Sequence, residues 1–244
     1  MTRHLLDIDH VSKHFGGNVA VSDACFSVEE KQIFGLIGPN GAGKTTLFNC
    51  ITGYFPLTSG QIVFNGSRIN NRRPDEICRL GMARTWQRVK PLCNLTVLEN
   101  VMVGAFVSTN ATPTAETMAR QQLQAVGLVE YADKPAGSLP IGLKKKLELA
   151  RVMATRPTML LLDEICGGLN HTETASILDI IRTLRNSGMT IVFIEHDMKA
   201  VTSICDRIVV LNSGEKLAEG TPEQITSNPD VIAAYLGGGH HAQD

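Results

Sequence analysis

The apolar positions of this chain change their spacing several times, and each change marks a different kind of element. Leu5–Val11 and Ala20–Val28 alternate apolar with polar residues, the two-residue period of a strand with one face on a core. Gly60–Gly66, read as Gly-Gln-Ile-Val-Phe-Asn-Gly, predicts another strand that ends in an Asn-Gly turn. Ile33–Ile37 is short and apolar on both faces, the pattern of a buried strand. From about Val97 to Arg156 the signals become helical. Val97, Leu98, Val101, Met102 and Val103 predict one amphipathic helix, Ala115–Val126 a second, and Leu143, Leu147 and Ala150 the apolar face of a third. Thr158–Leu162 is again a continuous apolar strand, followed by a helix with Ile177, Ile180, Ile181 and Leu184 on one face. Asn170 is placed to cap that helix, with Glu173 three residues on as its reciprocal partner. Ile191–Ile194 and Arg207–Leu211 are two more apolar strands bounded by polar turns.

Strands that alternate with helices predict an α/β protein with a mainly parallel sheet covered on both faces. The first part is β-rich and suits an antiparallel portion, while the middle is a helical insertion. The boundaries expected are a core from 1–88 and 157–236, a helical subdomain over 89–156, and a flexible tail at 237–244. His240 and His241 in that tail read as solvated, and lysines 144–146 as the charged, solvated side of their helix.

Composition narrows the function more than the fold. A net charge of -1 argues against a nucleic-acid partner, which favours a basic surface. The apolar runs are far too short to span a bilayer, and the first residues lack the apolar core of a signal peptide. Six scattered cysteines with no C-x-x-C pair suit buried small hydrophobes in a reducing cytoplasm.

Between the strand Ile33–Ile37 and the helix predicted over Thr45–Ile51 lies Gly38-Pro-Asn-Gly-Ala-Gly-Lys-Thr-Thr46, which fits G-x-x-x-x-G-K-[ST]. A polyphosphate needs several backbone N–H donors arranged in a concave nest, and glycines at 38, 41 and 43 permit that curvature. Lys44 can then reach the β- and γ-phosphates, Thr45 can offer a hydroxyl to Mg²⁺, and the helix directs its positive end at the ligand. The loop alone says only that a nucleotide binds. Met159-Leu-Leu-Leu-Asp-Glu164 adds a carboxylate to orient the metal shell, Asp163, and one to polarise water for attack on the γ-phosphate, Glu164. His196 stands at the end of Ile191-Val-Phe-Ile-Glu-His-Asp197 as a γ-phosphate contact. Neither D-x-x-G nor N-K-x-D occurs, which counts against a GTPase.

These motifs and spacings, from Leu5 to about Gly237, resemble the nucleotide-binding subunits of ABC transporters. The resemblance implies a P-loop NTPase core of the ABC type, with a RecA-like sheet, and ATP and Mg²⁺ as ligands. It implies ATP contacts from Phe15, Gly38, Asn40, Gly41, Ala42, Gly43, Lys44, Thr45 and Thr46. Phe15 would stack on the adenine, Gln87 would contact Mg²⁺ with Thr45 and Asp163, and Gly168, Leu169 and Asn170 would communicate across a dimer interface. Glu164, His196 and Gln87 would be the catalytic group. Leu47–Gly53, Ala83-Arg-Thr-Trp-Gln87, Leu95–Gly104 and Ala234-Tyr-Leu-Gly237 are similar to the branched-chain amino acid importers. That branch implies a peripheral ATPase on the cytoplasmic face of the cell membrane. Its partners would be a second ATP-binding subunit, two transmembrane permeases and, indirectly, a solute-binding protein. The other readings are a non-transport ATPase of the same superfamily acting on nucleic acid or ribosomes, and a regulatory cassette with weak hydrolysis.

The chain departs from the family pattern at three places. The signature segment, usually L-S-G-G-Q or L-S-Y-G-Q, is Leu139-Pro-Ile-Gly-Leu143. Pro140 has neither the serine hydroxyl nor a backbone N–H, and Leu143 lacks the amide. An asymmetric pair follows as an expectation, in which a related subunit supplies the intact signature. Ile165 replaces the proline usual after the glutamate, and Trp86 replaces phenylalanine, placed either under a membrane partner or in the core.

Overall fold

The computed structural model describes residues 3–87 and 89–236; the tail expected at 237–244 lies outside the described residues. The strands are β1 (His4–Phe15), β2 (Asn18–Glu29), β3 (Ile33–Ile37), β4 (Ser59–Phe64), β5 (Ser67–Arg68), β6 (Met82–Arg84), β7 (Met159–Asp163), β8 (Thr190–Ile194), β9 (Arg207–Asn212) and β10 (Glu215–Gly220). The α-helices are α1 (Lys44–Ile51), α2 (Pro74–Arg79), α3 (Val97–Ala105), α4 (Thr112–Ala125), α5 (Ile141–Met153), α6 (His171–Asn186), α7 (Met198–Ile204), α8 (Pro222–Thr226) and α9 (Pro229–Leu236). The chain divides into two compact units, Met1–Ile77 with Gly188–Asp244, and Cys78–Ser187.

In the first unit, β2-β1-β4-β5 form an antiparallel sheet. β1 and β2 run longer than their clean alternation because bulges between Ile8 and Val11 and at Lys13 break the two-residue period without ending the pairing. The predicted Asn-Gly turn is present: Asn65 (φ 49) and Gly66 (φ 75) both take the left-handed backbone that a two-residue hairpin requires. β3 pairs in parallel with both β8 and β9, and β10 closes β9 antiparallel. β3, β8 and most of β9 are buried, which is why they read as continuous apolar runs. β10 carries no such signal. It is Glu-Lys-Leu-Ala-Glu-Gly, and Glu219 accepts from Arg207 and Lys216 on its exposed side.

The second unit pairs β6 with β7 in parallel and packs α3, α4 and α5 on one another, with Val101, Ala119 and Leu149 buried, while α6 buries Ile177 and Ile181. Thr96 and Glu99 form a capping box at α3, and Asn170 and Glu173 form the predicted one at α6. Two residues fall on other faces than the spacing suggested. Val103 is 45% exposed, and Asn100 takes the buried place on that helix, its side chain bonded to Leu92 and Thr96 main chain. Lys145 is 3% exposed, so within the run 144–146 it leaves the solvated side, while Lys144 and Lys146 are half-buried. The Lys145 ammonium is turned inward to a main-chain acceptor, described below.

Candidate functional site

The glycine loop joins β3 to α1 within the first unit. Close approach dictates two of its residues. A Cβ on Gly38 would meet the Leu211 carbonyl oxygen, and one on Gly43 the Ala20 carbonyl oxygen. Gly43 is the N-cap of α1 in the left-handed region (φ 96), and no side chain caps the helix there. The first-turn amides are therefore presented to a ligand instead of to the protein. Lys44 is buried, with Nζ donating to the carbonyls of Gly38 at 2.7 Å and Pro39 at 3.0 Å, so its charge is held over the loop's own backbone. Asn40, Gly41 and Thr45 are exposed, Thr46 is half-buried and Ala42 is buried. Gly214 N–H donates to the Ala42 carbonyl at 3.1 Å and braces the loop from the β9–β10 turn. Tyr235 of α9 meets the Gly38 backbone; burial pushes its hydroxyl pKa up, partly offset by that contact.

Phe15 is 41% exposed at the end of β1, edge-on to Phe55 with ring centroids 5.2 Å apart, and Lys13 Nζ lies 4.7 Å from its centroid. An exposed ring backed by another ring is a platform suited to stacking a flat base. His196 is exposed just past the end of β8, and Asp197 next to it caps α7 by accepting from Lys199 N–H at 2.8 Å.

The acidic residues belong to the second unit. Asp163 ends β7 fully buried, and Oδ2 accepts from Arg84 Nη2 at 2.6 Å. The parallel pairing of β6 with β7 brings these residues together from 79 positions apart. Arg84 also stacks on Trp86, its guanidinium carbon 4.5 Å from the ring centroid. Trp86 is thus a partly exposed lid on a buried ion pair and not a core tryptophan. Glu164 is half-buried and takes φ 49, uncommon outside glycine. Its Oε2 accepts from Gln87 Nε2 at 2.7 Å, which joins two of the three expected catalytic residues in one hydrogen bond. Its carbonyl accepts from Gly167 N–H at 3.1 Å and from Lys145 Nζ at 3.0 Å. Glu148, 2% exposed, accepts from Trp86 N–H at 3.0 Å through Oε1. Desolvation pushes the Glu148 carboxyl pKa up, partly offset by the Trp86 N–H and by Arg151 and Lys145.

The segment 139–143 keeps little of a phosphate-binding surface. Leu139 is buried, Pro140 caps α5 without a side-chain bond, and Ile141 is 47% exposed. Gly142 is buried against Glu173, whose Oε1 occupies the space a Cβ would take, and Leu143 is half-buried. Ile165 is buried, so the residue in place of the usual proline fills core space. Gly168 (φ 76) turns the chain before Leu169 and the capping Asn170.

Four residues to which the sequence reading gave no place in the site join these clusters: Arg84, Lys145, Glu148 and Tyr235. For Lys145 and Glu148 a signal existed. They lie on one stripe with buried Gly142, three apart, and Glu148 stands between buried Leu147 and Leu149. Arg84 offered none, because a three-residue strand has too little period to show a face.

A family model described as ABC transporter matches residues 21–167. The chain belongs to the ABC transporter family. A second model, described as branched-chain amino acid ATP-binding cassette transporter, matches residues 215–241 of this ABC cassette. The cassette is 44% identical to the high-affinity branched-chain amino acid transport ATP-binding protein BraF of Pseudomonas aeruginosa, across 97% of this chain and 99% of the relative. It is 42% identical to LivG of Escherichia coli K12, a protein of the same description, with the same coverage. Among solved structures, a nucleotide-free ATP-binding cassette from an ABC transporter matches with TM-score 0.88 and 29% identity, over 96% of this chain and 99% of that one. An ATP-binding cassette of an ABC transporter in its ADP conformation matches with TM-score 0.88 and 30% identity, over 97% and 100%. The fold is accordingly that of an ATP-binding cassette. Among the described residues no helix is long and apolar enough to cross a membrane, and the six cysteines are free thiols.

Proposed function

We propose that this cassette is the ATP-hydrolysing subunit of an importer for branched-chain or related amino acids, peripheral on the cytoplasmic face of the membrane. The observation that carries the reading is the end-to-end similarity to proteins described as branched-chain amino acid transport ATP-binding subunits. Lys44 and the loop amides hold the triphosphate, and Phe15 stacks on the base. Glu164 polarises the water that attacks the γ-phosphorus, and the bond to the β-phosphate oxygen breaks to leave ADP and phosphate. Its hydrogen bond to Gln87 holds that carboxylate in place, and His196 contacts the γ-phosphate.

The donors Thr45, Asp163 and Gln87 fit Mg²⁺, since all three offer hard oxygen atoms. With its nitrogen on Glu164, the Gln87 amide has its oxygen as the end that can face a metal. When bound, Mg²⁺ supplies charge neutralisation at the phosphates.

Two permeases and a second ATP-binding subunit complete the assembly. The second subunit is related but not identical, because Pro140 and Leu143 deprive this chain's signature of two donors. Gly168, Leu169 and Asn170 carry communication between the pair. The test is ATP turnover of the purified chain alone, then with permeases and second subunit, then with substrate-loaded binding protein. Stimulation at each step is expected; activity that never responds to permease or loaded binding protein would falsify the transporter role.

A further inference from the structure

We propose that α5, the helix that opens at the altered signature, sets the geometry of the Gln87–Glu164 pair through two buried charged side chains, Lys145 and Glu148. Both are positioning residues for hydrolysis. This rests on the role assigned to Glu164 above.

A lysine and a glutamate one turn apart, each at most 3% exposed, call for a physical reason, because such side chains are rarely buried without specific partners. Each reaches a main-chain group beside one end of the same hydrogen bond. Lys145 Nζ donates to the Glu164 carbonyl at 3.0 Å, and Gly167 N–H donates to that oxygen at 3.1 Å. Two donors on one carbonyl fix the plane of the peptide that follows Glu164, and φ 49 at Glu164 gives this residue few alternatives to that arrangement. Glu148 Oε1 accepts from Trp86 N–H at 3.0 Å, which fixes the peptide immediately before the Trp86–Gln87 pair of residues. Between those two anchored stretches runs the 2.7 Å bond from Gln87 Nε2 to Glu164 Oε2.

Both ends of the catalytic contact are therefore tied to one rigid helix at positions three apart. A shift of the helix start, where Pro140–Leu143 lies, carries both anchors with it. Glu148→Gln keeps an acceptor for Trp86, whereas Lys145→Met removes the donor to Glu164 while preserving most of the apolar stem.

The test measures kcat, KM for ATP and Tm for Lys145→Met, Lys145→Arg and Glu164→Gln in the assembled complex. Lys145→Met is expected to lower kcat by roughly 100-fold, since small misplacements of a reacting group cost on that order, with KM within about twofold. Lys145→Arg, which keeps a cationic donor, should retain kcat within about threefold. Adding Lys145→Met to Glu164→Gln should cause no further loss, because the lysine acts through the glutamate. If the methionine variant does not fold, Lys145→Gln, too short to reach the carbonyl, carries the same expectation. A Lys145→Met kcat within twofold of the parent overturns the proposal, as does an equal further loss in the Glu164→Gln background. Should Glu164→Gln alone leave kcat intact, the catalytic role of Glu164 fails and the positioning role with it. Should Glu164→Gln abolish turnover while Lys145→Met does not reduce it, only the positioning role fails.

Discussion

The loop 38–46 and the cluster around Asp163 and Glu164, which the proposed function assigns to the same reaction, are built by opposite means. The loop is made of backbone. Gly38 and Gly43 pass against carbonyl oxygens that leave no room for a side chain, and the uncapped start of α1 supplies amides. The acidic cluster is made of side chains, with Arg84, Asp163 and Lys145 buried, joined across long stretches of sequence: Arg84 to Asp163, Gln87 to Glu164, Lys145 to the Glu164 carbonyl. A backbone site is written in consecutive residues. A side-chain network is written in partners that only folding brings together.

That contrast makes graded predictions. The largest effect belongs to Glu164→Gln, expected to lower kcat in the assembled complex by at least about 100-fold while leaving ATP affinity near its parent value. ATP-binding titration beside turnover reads both. Gly43→Ala should do the reverse and weaken ATP binding itself, because the new methyl group meets the Ala20 carbonyl and the backbone at φ 96 is lost to alanine. If both variants lose only turnover, the two regions are not separate in kind. Arg84→Met comes next, read by denaturant unfolding. It removes the buried Arg84–Asp163 ion pair and should cost about 3–5 kcal/mol, whereas Arg3, whose ion pair with Glu30 is exposed, should cost under about 1 kcal/mol when changed to alanine. Restoring Pro140→Ser with Leu143→Gln should change turnover of the complex by roughly tenfold, about the worth of one charge-assisted hydrogen bond. No change in hydrolysis or transport would remove the asymmetric pair.

The smallest effect is a pH dependence. Burial raises the folded pKa of Glu148, so the native state holds that proton more tightly than the unfolded chain. The contribution of this group to stability therefore falls as pH rises from the ordinary carboxylate range through the raised value, and returns on acidification. Relative to the parent, Glu148→Gln should be more stable at neutral pH than at mildly acidic pH. An unchanged difference between the two pH values counts against a buried, charged Glu148.

Much of the fold was legible. β3, β7 and β8 announce themselves because strands buried on both faces are apolar throughout, and the Asn65-Gly66 turn and the Asn170–Glu173 box follow from local chemistry. β10 was not, since an edge strand with charged residues lacks a period to read. Val103 and Lys145 were assigned to the wrong faces for one reason. A short helix with apolar residues on several sides does not fix its own phase, and α3 and α5 take theirs from what they pack against.

The residue sequence by itself determined the phosphate-loop motif, the buried strands and most of the long helices, and the acids at the end of β7; the altered segment 139–143 was legible only against the pattern of the family the chain resembles. The motif, strands, helices and acids depend on neighbours in the chain, through backbone freedom, capping or periodicity. Tertiary structure alone decided that Arg84 neutralises Asp163, that Gln87 grips Glu164, and that two charges on α5 turn inward to hold them. Those contacts join residues between 19 and 79 positions apart, and a buried charge reveals its partner only when the low dielectric around it has been built.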